Sequence, residues 1–158
     1  MNSKLDNIRF TLAQIDVVSG DLEGNFNKVK SIIVDKFIHD LSDVIVFPEA
    51  CITGYNVGQL FENDEFISEQ INYVKSLVDI IPYNKVVILG FVNLIGYHRN
   101  GLPKLNNSVG IINQKKLQIY NKQLLANTVH HEDVKYFEAG TESKIFNVII
   151  NHQWINIG

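Results

Sequence analysis

In the stretch 46-VFPEACITGYNVGQLF-61 a glutamate follows a proline at the end of an apolar run, and the only cysteine of the chain comes two residues later. A carboxylate and a thiol this close raise the question of a base and its nucleophile. Glu49 falls where a Val/Ile/Phe strand leaves its sheet, and α/β folds hold ligands at strand ends. Partial burial there would raise its pKa and suit it to general-base work. The competing reading is a surface glutamate at a strand terminus. Cys51 is the weaker candidate. A reactive thiolate wants a positive neighbour or a helix N-terminus, and Glu49 is the only charge near it in sequence. A lone cysteine among apolar residues reads more simply as a small buried side chain.

Two further groups invite chemistry. Lys122, in 120-YNKQLL-125, is a lysine among apolar neighbours at a strand end, where an ammonium could stabilise an oxyanion. Equally, its stem could cover apolar surface while the amine reaches water. The run His130-His131-Glu132-Asp133 suggests a metal, but adjacent side chains diverge and no second ligand cluster follows at zinc spacing. No metal site is therefore expected. The chain also lacks a glycine-rich phosphate loop or dinucleotide fingerprint, so no cofactor-binding residue is assigned.

These residues need a scaffold. Residues 8–16 alternate as a strand, with Ile8, Phe10, Leu12 and Gln14 on one face. Residues 19–25 form a turn in which Asp21 or Asn25 could cap a helix. Over 26–42, Phe26, Val29, Ile33, Phe37 and Leu41 draw one helical stripe. Residues 43–47 suit a central strand stopped by Pro48. A second helix fits 62–81, and 85–92 is another apolar strand. Residues 105–113 and 116–125 pair around a turn at Asn113-Gln114, and 144–150 and 154–158 form a hairpin about 151-NHQ-153. Strand, helix, strand, helix, strand and then hairpins predict an α/β fold with a mixed sheet.

Composition narrows the class. The 158 residues suffice for one domain, and a net charge of −3 with intermixed signs argues against a nucleic-acid or anionic-membrane surface. One cysteine makes no internal disulfide, so a reducing, cytoplasmic setting is expected. The last strand runs to Ile157-Gly158 without a turn or polar tail, and the chain is expected to stop inside a strand that should continue.

Taken together, 46-VFPEACITGY-55, 107-NSVGII-112, 120-YNKQLLANTVHHEDVKYFEAG-140 and 154-WINIG-158 resemble the nitrilase (carbon–nitrogen hydrolase) superfamily. The opening 10-FTLAQIDVVSGDLEGNFNKV-29 is similar too. The resemblance covers essentially the whole chain. Within the superfamily, PEACITGYNVGQLF is most similar to the N-terminal glutaminase domains of glutamine-dependent NAD+ synthetases.

The resemblance implies an α-β-β-α sandwich, incomplete at Gly158, whose protomers associate as homo-oligomers. It makes Glu49 the general base, Lys122 the oxyanion-stabilising lysine and Asp133 a stand-in for a glutamate that supports that lysine. Tyr55 of the Thr-Gly-Tyr run is expected at the substrate. The nucleophilic cysteine normally follows the strand that reads WINIG here, so it is expected beyond Gly158, and Cys51 receives no role. The implied substrate is glutamine, whose ammonia would serve NAD+ synthesis; ATP and Mg2+ would belong to a synthetase domain outside this chain. Ala126 stands where a proline is usual, Thr128 and His131 where aromatics are common, and Asp133 is one methylene shorter than the usual glutamate. Those departures leave altered specificity and a relaxed, inactive copy both open, and the chain has three readings: a glutaminase portion that lacks its cysteine and is inactive by itself, a degenerate copy with a binding or assembly role, or an amidase of another small amide.

Overall fold

A computed structural model describes residues 7–55, 57–128 and 131–158. Five strands form one mixed sheet in the order β1-β2-β3-β4-β5. These are β1 (Phe10–Leu12), β2 (Val44–Val46), β3 (Val86–Tyr97), β4 (Pro103–Asn113) and β5 (Lys116–Asn121). The first three run parallel, and β4 and β5 return antiparallel. Helices α1 (Leu22–Ile38) and α2 (Asp64–Ile80) supply the parallel crossovers, the connection that parallel neighbours require. A short 3-10 turn covers Gly58–Glu62. Two-residue strands β6 (Asn127–Thr128) and β7 (His131–Glu132) precede the single turn α3 (Asp133–Tyr136). Strands β8 (Phe146–Ile150) and β9 (Gln153–Ile157) form a separate hairpin.

The apolar runs at 44–46 and 86–91 are continuous because both faces of the sheet are covered. Ile45, Val87, Leu89, Phe91 and Ile112 face the helices, where Phe26, Val29, Ile33, Val74 and Leu77 meet them. Val44, Val86 and Ile111 face the other way, onto Phe146, Val148 and Ile150 of the β8–β9 hairpin. The described layers are therefore helix, sheet and hairpin. Each fully buried branched side chain contributes roughly 1.5–3 kcal/mol, so this two-sided alternation is the main stabilising term.

Buried polar groups lock the layers in register. Gln70 of α2 donates to Val92 O at 2.9 Å and accepts from Val92 N at 2.8 Å. Asn113, at the end of β4, donates to Lys85 O and Ile149 O, each at 2.9 Å, and accepts from Ile149 N at 2.8 Å. That amide ties the hairpin to the sheet. No helix among the described residues is long and apolar enough to cross a membrane.

Several boundaries differ from the sequence reading. Helix α1 starts four residues earlier than 26, because Asp21 caps it through Gly24 N at 2.9 Å. Asn25 is instead fully buried, donating to Val18 O and Ile52 O and accepting from Val18 N. Leu41 falls beyond the helix and is exposed, since the chain reverses at Asp40 with φ 47°. Strand β1 keeps only three residues, with Phe10 and Leu12 exposed at the sheet's edge. The β4–β5 turn is at Gln114-Lys115, both residues at positive φ, the pair of left-handed residues a tight hairpin needs.

Candidate active site

Pro48 ends β2 and sends the chain across the top of the sheet, where it leaves Glu49 half-buried over β3. The crossing is close: a Cβ on Gly90 would lie 2.4 Å from Glu49 Cα and 2.7 Å from Ala50 N. Only glycine lets β3 pass here. The turn is held by Gly90 N on Pro48 O at 3.2 Å and Cys51 N on Gly90 O at 3.1 Å. Asn25 secures the far side through Ile52 O at 2.9 Å.

Lys122 arrives from the opposite edge, just after β5. Its backbone is clamped on both sides, with Lys122 N donating to Asn107 O and Gly140 N donating to Lys122 O, each at 2.8 Å. Its ammonium donates to Glu49 Oε1 at 2.9 Å and to Asp133 Oδ2 at 2.8 Å. The same Asp133 oxygen accepts from Ala126 N at 3.2 Å, so the shorter carboxylate still spans to the lysine. Asn107 Nδ2 completes the group by donating to Glu49 Oε1.

Electrostatics follow from these donors. Burial pushes the Glu49 pKa up, but hydrogen bonds from Tyr55, Lys122 and Asn107 together outweigh it and leave the carboxyl below its ordinary value. The expectation that burial would raise Glu49 is thus reversed: charge-assisted bonds to the anion win over partial desolvation. Burial pulls the Lys122 ammonium down, yet bonds to Asp133 and Glu49 hold it above its usual range. Both groups are therefore charged at neutral pH. Desolvation raises the Tyr55 hydroxyl, helped by the adjacent Glu49 carboxylate, so it stays protonated and can donate.

Cys51 makes no hydrogen bond to this cluster among the described contacts. Its side chain is fully buried in the helix-facing core, its Sγ donates to Gly90 O at 3.3 Å, and burial pushes the thiol up to about 12. A thiol in that setting is inert. His130 lies outside the described residues, and no group of three or more His, Cys, Asp or Glu among the described residues could hold a metal ion.

A cavity of about 620 Å³ opens over Glu49 and Lys122, walled by Phe47, Val109, Phe146 and Ile157 and floored by Gly90 and Asn107. Gly158 also lines it. A carboxylate and an ammonium thus line a largely apolar pocket, with Asp133 bonded to the ammonium beside it. That set can accept a proton at Glu49 and stabilise developing negative charge at Lys122.

The sequence profile of the carbon-nitrogen hydrolase family matches residues 9–154. The chain belongs to the carbon-nitrogen hydrolase family. It is 28% identical over 143 residues to a glutamine-dependent NAD(+) synthetase of Aquifex aeolicus, covering 89% of this chain and 24% of that protein. It is 32% identical over 98 residues to a protein N-terminal amidase of Schizosaccharomyces pombe, covering 54% of this chain and 32% of that one. Among solved structures, a glutamine-dependent NAD+ synthetase from Acinetobacter baumannii superposes with TM-score 0.75 at 21% identity, over 94% of this chain and 27% of that one. This carbon-nitrogen hydrolase chain therefore shares the nitrilase fold and spans about a quarter of the length of the synthetases it matches.

One site residue went unassigned in the sequence. Asn107 sits in the polar run 106-NNS-108 between the apolar Leu105 and Val109 of β4, and that interruption was the available signal.

Proposed function

We propose that this chain carries the base and the lysine of a glutamine-hydrolysing site that feeds ammonia to NAD+ synthesis. The observation that carries the reading is the chain of contacts from Glu49 through Lys122 to Asp133 at a cavity also lined by Gly158. The similarity to glutamine-dependent NAD+ synthetases supports the choice of glutamine.

The thiol in this proposal is carried by residues following Gly158. Glu49 takes the thiol proton, and the thiolate attacks the side-chain amide carbon of glutamine. Lys122 stabilises the tetrahedral oxyanion. Its collapse breaks the C–N bond, with the proton on Glu49 passing to the leaving nitrogen, so ammonia departs and a thioester remains. Water then adds, Glu49 accepts its proton, and glutamate leaves as the thiol is restored. ATP and Mg2+ would act in a separate synthetase domain of the longer protein, not at this site.

A second reading, hydrolysis of a different amide, is favoured by the likeness to the protein N-terminal amidase. The test is intact mass of the natively expressed protein together with ammonia release from glutamine by the same sample. A mass well above 18.0 kDa with ammonia release from glutamine supports the glutaminase. Ammonia from asparaginyl or glutaminyl peptides but not from glutamine favours the amidase. An 18.0 kDa protein inert towards both refutes the proposal.

A further inference from the structure

Strand β4 carries three consecutive polar residues, and each reaches a different part of the chain. Asn106 Nδ2 donates to Glu138 O at 2.7 Å, and Ser108 Oγ donates to Asn121 Oδ1 at 2.7 Å. Those two bonds tie loop and strand to the sheet. Asn107 is different. Its side-chain amide, on a residue only 7% exposed, donates to Glu49 Oε1, while its own backbone carbonyl accepts from Lys122 N at 2.8 Å. One residue on a central strand thereby touches the carboxylate of Glu49 and the backbone of Lys122. Burying an amide here costs free energy unless it is bonded, and its side-chain partner among these contacts is the Glu49 carboxylate.

We propose that Asn107 is a positioning residue of the site, setting the aim of the Glu49 carboxylate and the placement of Lys122 from a single point on β4. Oε1 of Glu49 receives both the Asn107 amide and the Lys122 ammonium. The carboxylate is consequently fixed about one oxygen by a neutral donor and a charged one. Asn107 touches no reacting atom itself and acts through Glu49. Catalytic constellations tolerate only about half an ångström of misplacement, which gives such a strut its importance. The inference rests on reading Glu49 as the base.

Its test does not need turnover. The Glu49 carboxyl carbon is followed by 13C NMR across an acid titration in this chain and in Asn107→Ala and Asn107→Leu. The expected result is an upward shift of the Glu49 midpoint in both variants, since one donor to the anion is gone. Should Asn107→Ala not fold, Asn107→Ser takes its place: it keeps a polar group on the strand but is too short to reach Glu49. An unchanged Glu49 midpoint in a folded variant overturns the proposal, because a merely structural amide would alter melting and leave the titration alone. In the complete protein the acid limb of the kcat/KM profile should move in the same direction with KM little changed. If glutamine proves not to be the substrate, the titration still decides the role of Asn107, so the two readings fail separately.

Discussion

Lys122 Nζ lies 2.9 Å from Glu49 Oε1, although 73 residues separate them in the chain. The pair forms across the width of the sheet: Glu49 leaves the end of parallel β2, and Lys122 leaves the end of antiparallel β5, two strands beyond β3. Asp133 then holds the lysine from the other side. A single ammonium is thus shared by two carboxylates.

On the proposed mechanism, Lys122→Ala should lower kcat/KM for ammonia release from glutamine by the natively expressed protein roughly 10²–10³-fold, the usual loss for one oxyanion-stabilising group. Its effect on stability should stay within about 1 kcal/mol, because a third of the side chain is solvent-exposed and such pairs are weak. Activity assays alongside urea unfolding read the two numbers independently. A variant retaining full turnover would remove Lys122 from the mechanism.

Cys51 should resist thiol reagents in the native state. With its thiol buried and pushed up to about 12, Ellman's reagent should react slowly in buffer and stoichiometrically in denaturant. Cys51→Ala should cost about 1 kcal/mol from the lost sulfur volume and leave the proposed ammonia release unchanged. Rapid native labelling would contradict the burial that excludes it as nucleophile.

Gly90→Ala should be damaging out of proportion to its size. The added methyl would overlap Glu49 Cα and Ala50 N, so either β3 or the Glu49 turn must shift. Overpacking of this kind costs about 1–3 kcal/mol, and the shift should move Glu49 off Lys122. Loss of stability by calorimetry without loss of activity would show that the strand, not the base, gives way.

Stability should fall at both ends of the pH scale. At the opposite end of the sheet, buried Asp43 accepts from Arg9 at 2.9 Å and from Lys85 at 2.8 Å. The Arg9 bond chiefly holds its carboxyl well below the ordinary range, against the opposing effect of burial. Folded Asp43 therefore binds a proton less readily than the unfolded residue does. Its contribution is complete above the ordinary carboxylate pKa of about 4 and is lost as pH falls toward the folded value. Burial pulls Lys85 down, but bonds to Asp40 and Asp43 raise it overall. That contribution is complete below the ordinary lysine pKa and disappears as pH rises through the folded one. Melting temperature against pH should show a plateau with both limbs, and Asp43→Asn should flatten the acid limb. At neutral pH Asp43→Ala should cost about 3 kcal/mol, since it leaves the largely buried Lys85 with one partner fewer.

Much of the framework was legible in the chain itself. Stripes at Phe26, Val29 and Ile33 and at Ile67 and Val74 mark helices because burial selects apolar residues at the helical period. Continuous apolar runs at 44–46 and 86–89 mark strands covered on both faces. Pro48-Glu49 at a strand end and Lys122 in its motif are local patterns, and so were open to reading. Boundaries were less legible. Leu41 fits the α1 period, but a backbone reversal at Asp40 ends the helix first, and periodicity carries no information about that reversal. Phe10 and Leu12 alternate like core residues yet lie at an uncovered edge, which depends on what packs there.

The sequence by itself determined the family, the order of elements and which side chains have the chemistry for a base and a lysine, because these rest on residue type and short-range spacing. Only the tertiary structure decided that Glu49 is an anion held below its ordinary pKa rather than one raised by burial. That outcome depends on Tyr55 from the same loop and on Asn107 and Lys122, which the sheet brings to the carboxylate from β4 and the end of β5. It also decided that Cys51, two residues from Glu49 in the chain, is sealed in the opposite layer against Gly90 O. Sequence proximity could not reveal this, because the turn after β2 sends the two side chains to opposite faces of the sheet.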